Sequence, residues 1–290
     1  MEIVYVCGRL IFSLASNVYQ KKLSHQGLHP FYIVATTYCV LSLLAAPFLG
    51  VIELNHLTYN FLVNVSLASL FDVAGWMFLV LSLSKTDLSV FGPLNAYKVV
   101  VSMLLAMLFL NETPSVQGFL GVLIIIVGSF FLMPPVPAHQ ANRLINLLSD
   151  KGVRARFLSI VLFSVGTIFL KKSVGDGGAL ATMIFWSLIG LPLILISNYF
   201  FLPHKIQQEI KATKPHLYSI LLIGLTVFFM QYLTLLLLEH MLVAYALALF
   251  QLGMVLQVFI GYRVFNEKNI LRKLLASIVV MLGSLLVLVA

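Results

Sequence analysis

Charge is scarce in this sequence. Only 10% of its 290 residues are Asp, Glu, Lys or Arg, against about a quarter in a soluble domain. That excludes a water-soluble globular fold and a disordered chain, both of which need a charged surface. Cysteine is nearly absent: Cys7 and Cys39 each sit in an apolar run, with neither a CxxC nor a Cys/His ligand spacing, so a disulfide scaffold and a zinc site are excluded. Both are expected to be small buried residues. Glycine and proline show no collagen-like period. No Walker motif is present, so ATP is not the driver. The N-terminus lacks a positive n-region and an A-x-A site, and no cleaved signal peptide is expected. No water-facing cluster of His, Asp, Ser or Cys points to an enzyme acting on membrane substrates, and nothing calls for a cofactor. The net charge of +8 has no soluble basic domain to carry it, which argues against nucleic acid and for the Lys/Arg excess of cytoplasmic membrane loops.

What is abundant is apolar residue, 61% of the chain, arranged in ten long runs: 3–20, 31–50, 61–83, 88–110, 116–133, 155–170, 179–202, 217–238, 242–264 and 271–290. A membrane span needs about 20 such residues. Barrel strands would alternate in character over about ten residues. These runs are continuous and longer, so the fold class is all-α integral membrane with ten transmembrane helices. The connections are short and rich in turn residues, such as Asn111-Glu112-Thr113-Pro114 and Gly175-Asp176-Gly177-Gly178. The longest polar stretch, 134–153, opens with three prolines in four residues, which stops a helix. It divides the chain into a first unit, 1–133, a linker, 134–153, and a second unit, 154–290.

The two units repeat. Run 1 ends FSLASNVYQKK at Lys21-Lys22, and run 6 ends FSVGTIFLKK at Lys171-Lys172. Asn111-Glu112 followed by Gly128-Ser129 recurs as Asn266-Glu267 followed by Gly283-Ser284. With five helices per unit, the second unit is expected to run upside down relative to the first, and such inverted repeats hold a substrate site between them at midplane. Five plus five spans, a Lys closing helix 1 before a Pro-started helix 2, and the Asn-Glu then Gly-Ser ending of each half resemble the drug/metabolite transporter superfamily, EamA type, over nearly the whole chain. The resemblance implies a central cavity lined mainly by helices 1, 3, 4, 6, 8 and 9, with helices 5 and 10 as scaffold. It also implies transport of a small metabolite such as an amino acid or a sugar.

Charges at bilayer depth are costly and mark cavities or pairs. Asp72 in run 3 and Lys98 in run 4 lie at matching depth, about 20 Å from the turn joining them, where antiparallel neighbours can pair them. Lys98 is expected to bind an anionic group and Asp72 to orient it or carry a coupling proton. Asn95, Lys98 and Ser102 share one helix face, below a Gly92-Pro93 bend. The equivalents in run 9 are Phe250, Gly253 and Gln257, so the charge is not repeated. Trp76 and Gln231 correspond between the halves. Together with Gln251, Gln257 and Asn17 they complete the candidate substrate site. Arg9 is a further buried cation, facing either the site or the headgroups. Trp186 reads as lipid-facing bulk, an interface anchor or ordinary packing. Glu112 and Glu267 are expected to cap the helices that follow them. His25 and His29 are too few for a metal. Gly118, Gly121, Gly128, Ala276 and Gly283 suit close helix packing.

Fourteen Lys and Arg, Arg156 among them, fall on the side reached after run 1, and Lys171 and Lys172 on the other. The positive-inside rule puts the termini outside the cytoplasm, whereas the resemblance implies cytoplasmic termini. The functional expectation is a secondary active transporter for a small polar or amphipathic metabolite, an amino acid or organic anion. It would work by alternating access in a plasma or inner membrane as a monomer, with a proton or counter-solute as partner. A flippase for lipid-linked substrates is the alternative.

Overall fold

The computed structural model describes residues 2–52, 57–85, 94, 96–111, 113, 115–132, 150–202, 206–266 and 270–288. Among these residues every regular element is helical and none is a strand. In lipid this is what an apolar backbone requires, since each N–H and C=O must find its partner within the segment. The order is α1 (Glu2–His25), α2 (Pro30–Ala45, extended by a tight turn Ala46–Val51), α3 (Tyr59–Lys85), α4 (Ala96–Phe109), α5 (Val116–Leu132), α6 (Lys151–Phe201), α7 (Ile206–Thr213), α8 (Leu217–His240), α9 (Val243–Phe250), α10 (Gly253–Phe265) and α11 (Ile270–Leu288). Among the described residues four stretches are long and apolar enough to cross a membrane: Pro30–Val51, Tyr59–Lys85, Lys151–Phe201 and Gln207–His240. Shorter apolar segments lie in α4, α5, α10 and α11.

Local chemistry sets the ends. His29 Nδ1 accepts from the Phe31 N–H at 3.2 Å, and Pro30 follows at the first helical position, where its missing donor costs nothing. Asp150 Oδ1 accepts from the Gly152 and Val153 amides at 2.7 and 2.9 Å, capping α6. Asn111 and Asn266 both take left-handed backbone (φ 54 and 52), and Asn266 ends α10 with its N–H on the Gly261 carbonyl. The repeated Asn therefore acts as a helix stop, a job Asn does at little conformational cost. Glu112 and Glu267 lie outside the described residues.

Two expected boundaries move. The Gly175–Gly178 turn is absorbed into one 51-residue element, in which only Gly178 leaves helical geometry (φ 78, ψ 169). Glycine tolerates that backbone, and α6 becomes two arms, 151–177 and 179–201. Run 9, expected to be continuous, breaks between α9 and α10 at Gln251-Leu252, where Gln251 Nε2 donates to the Leu247 carbonyl at 3.3 Å.

Three packings organise the core. α3 lies along α6, α1 along α8, and α5 along α11. At the last, small residues let backbones touch. A Cβ on Gly283 would stand 2.8 Å from the Gly121 carbonyl oxygen, and one on Gly128 3.1 Å from the Val280 backbone nitrogen. Backbone cannot move aside as a side chain does. Gly283→Ala is therefore expected to destabilise the protein by about 1–3 kcal/mol, read as a lowered melting temperature in detergent. Gly175→Ala, which meets nothing within 4 Å, is the control and should not melt lower. Outside, large apolar side chains such as Leu43, Leu108 and Phe200 are exposed, as a lipid-facing surface requires. Cys7 is exposed among them and Cys39 half-buried. The expectation that both are buried fails because helix 1 turns the Cys7 face outward.

Candidate functional site

A cavity of about 100 Å³ lies between the two halves of the chain, with room for several waters or a small metabolite. The helical repeat brings its walls together. On α1, Arg9, Ser13 and Asn17 fall four residues apart on one face. On α3, Asp72 and Trp76 do the same. Lys98 projects from α4, Arg156, Phe163 and Thr167 from the first arm of α6, and Gln231 and Thr234 from α8. Phe250, Gln251 and Gln257 come from the broken α9–α10 segment.

Asp72 has the most elaborate seat. Its side chain is buried, and Oδ2 accepts from the Trp186 indole N–H at 2.9 Å. The carboxylate lies against the bare backbone of Gly166, where a Cβ would overlap Oδ1. Trp186 is fully buried and its ring centroid lies 5.2 Å from that of Tyr38. The reading of Trp186 as lipid-facing bulk is thus corrected: an indole N–H deep in an apolar protein needs an acceptor, and Asp72 supplies it.

Three cations surround the same space. The Arg9 guanidinium stands 3.6 Å over the Phe250 ring, so it faces the cavity and not the headgroups. Lys98 Nζ stands 5.0 Å from the centroid of Phe163. Aromatic faces attract cations at such distances. Arg156, assigned to a connection by its place in the sequence, is instead 2% exposed and donates from Nη1 to Ser159 Oγ at 3.3 Å. The reason is register: α6 starts at Lys151, so Arg156 is already more than a turn inside. Lys98 feels the charges of Asp72, Arg9 and Arg156. Asp72 and Lys98 both line the cavity, and Trp186 and Gly166 hold the carboxylate against α6.

Of the residues singled out in the sequence, Arg9, Asn17, Asp72, Trp76, Lys98, Gln231, Gln251 and Gln257 line the cavity. Asn95 and the Gly92-Pro93 bend lie outside the described residues. Ser102 is buried without lining the cavity. Among the described residues no three His, Cys, Asp or Glu side chains converge as a metal site. Thr167 and Thr234 donate their hydroxyl protons to the Phe163 and Met230 carbonyls at 2.6 and 2.8 Å, which leaves their oxygens as acceptors at the cavity wall. These, Arg156, Trp186 and Gly166 are additions from the structure.

Comparison with known proteins agrees with this architecture. A solved structure described only as a crystal structure of a protein superposes with a TM-score of 0.67, covering 98% of this chain and 95% of its own, at 14% sequence identity. That likeness concerns the fold alone. Among curated proteins, none matches the chain in sequence. Residues 1–133 match the EamA-like transporter family, whose members are transporters and not enzymes. With its apolar helices the chain is a multi-pass membrane protein. The matched segment is a little under half of the chain, and the EamA-like transporter family is part of the drug/metabolite transporter superfamily.

Proposed function

We propose that this protein is a secondary active transporter that moves a small polar or amphipathic metabolite, an amino acid or organic anion, by alternating access. The observation that carries the reading is the cavity itself. Ionised side chains from both halves meet in one small space inside an otherwise apolar protein, and groups so costly to bury are retained where solute or water meets them.

The chain is read as ten helices in two inverted units, 1–133 and 154–290, joined by 134–153. Packing supports this. Exchanging the units turns the α1–α8 contact into the α6–α3 contact and leaves α5–α11 unchanged. The broken α9–α10 segment at the cavity is the kind of interruption that marks transporter sites. Arg156 leaves the connections, but the Lys/Arg excess on its side stands. We place that side in the cytoplasm of a plasma or inner membrane, with both termini opposite. A fused pair of units completes its own cavity, so a monomer suffices. The counter-solute or proton would act at Asp72.

The experiment is flux. Purified protein in liposomes is expected to give saturable uptake of labelled amino acids or organic acids above that of protein-free vesicles. Vesicles that move a fluorescent lipid while none of these solutes crosses would favour the flippase alternative.

A further inference from the structure

The Arg9 guanidinium lies 3.6 Å over the Phe250 ring, and its Nε is buried with no hydrogen-bond partner. Among the described residues Arg9 donates no hydrogen bond and pairs with no carboxylate. The ring covers a face of the group, but its five N–H donors lie in the plane and point round the rim. Asp72, the acid lining the cavity among the described residues, is held elsewhere by the Trp186 N–H.

α1 and the α9–α10 segment run side by side in the same direction. Arg9 stands on Phe250, Leu10 Cδ2 lies 3.0 Å from where a Cβ on Gly253 would be, and Lys21 Nζ is 4.7 Å from the Phe265 ring centroid. Position 257 is therefore level with Ser13 and Leu14, about one helical turn beyond Arg9. Gln257 lines the same cavity, and its Oε1 is buried with no hydrogen-bond partner. An unmet cationic fork and an unmet acceptor thus share one wall. Buried polar groups are ordinarily bonded, and a buried charge with no partner is costly, so both call for a ligand.

Resting on the transporter reading above, we propose that the substrate is a small water-soluble 2-hydroxy monocarboxylate, its carboxylate docked on the rim of Arg9 and its hydroxyl donating to Gln257 Oε1. Guanidinium is the cation whose planar fork matches a carboxylate, and Phe250 fixes the plane of that fork. The wall carries the two features in the spacing such a molecule needs, a charge and then a neutral acceptor. One neutral acceptor suits one O–H. An ammonium in its place would bring three N–H donors and a positive charge up to a guanidinium, where like charges repel. The size agrees as well, since about 100 Å³ admits a few carbons.

The test is ligand-induced thermal stabilisation of the purified full chain, followed by uptake into liposomes. Lactate is expected to stabilise it. Propionate, which lacks the hydroxyl, should bind at least tenfold more weakly, and lactamide, which lacks the charge, should do nothing. Arg9→Gln should weaken lactate binding about a hundredfold, with Arg9→Lys falling between. Gln257→Leu should close the gap between lactate and propionate while leaving propionate as it was. The wild-type series of lactate, propionate and lactamide decides the matter even if these variants fold poorly. Propionate or lactamide matching lactate overturns the proposal, and so does alanine binding better than lactate. Sodium chloride accounting for all of the stabilisation, or dodecanoate that lactate does not displace, overturns it too, the second by making the carboxylate a lipid's. Uptake separates the two readings. Lactate binding that depends on Arg9 but brings no flux would uphold the site and sink the transporter. Flux of alanine without lactate binding would do the reverse.

Discussion

Alanine at Gly166 is expected to reduce transport about a hundredfold while leaving the protein folded. The new methyl would occupy the space of Asp72 Oδ1. Of the two, the carboxylate is the one able to turn, because Gly166 is in mid-helix in α6. Turning it breaks the 2.9 Å bond from Trp186 and moves the charge relative to Lys98 and the cavity. A displacement of about 1 Å at a reacting or binding group is enough for a loss of that order. The check is uptake in liposomes alongside a melting curve. Trp186→Phe keeps the ring and removes the donor, so it should shift Asp72 the same way with a smaller loss. A hydrogen bond to a charged group contributes about 1.5–3 kcal/mol. Gly175→Ala lies in the same helix, meets nothing within 4 Å, and should transport normally. Wild-type transport by Gly166→Ala would show that the seat of Asp72 has no part in the mechanism.

The contrast between Asp72 and its seat shows what a sequence can and cannot carry here. Asp72, Lys98 and Arg9 stand out because charge in an apolar run is costly whatever the fold. Asn17, Gln231, Gln251 and Gln257 stand out for the milder cost of a buried amide. Helical class follows from the length of the apolar runs. Trp186 gives no such signal. An indole is at home in lipid, at an interface or in a core, and only the packing of α3 along α6 brings it to Asp72. Gly166 is one of 18 glycines, and its role depends on which atom approaches from another helix. Arg156 was misplaced for a different reason. Positions near the end of a run are ambiguous by a turn, and five residues of register separate a solvated loop from the cavity wall. The break at Gln251-Leu252 is similar, since no proline announces it and a side-chain amide takes over part of the backbone bonding.

Lys98→Ala and Asp72→Asn are expected to abolish transport in different company. Removing Lys98 leaves a buried carboxylate with the Trp186 N–H but without the cation it faces. Breaking a buried charge pair costs about 3–5 kcal/mol. Lys98 is half-buried, so a loss of about 3 kcal/mol, at the low end, is the expectation. Asp72→Asn keeps an oxygen for the indole and removes only the charge, leaving three cations together. It should destabilise the protein less in detergent and tighten retention of anions, which slows their release. The double variant Asp72→Asn, Lys98→Ala removes both charges and is expected to melt close to the wild type, because neither is left uncompensated. If the two residues serve only to hold α3 and α4 in place, the double variant should also transport at the wild-type rate. If they serve the solute, stability returns and flux does not. Melting curves and liposome uptake on the four proteins of this cycle therefore separate a structural pair from a working one. The outcome that fits the cavity is a stable, silent double variant.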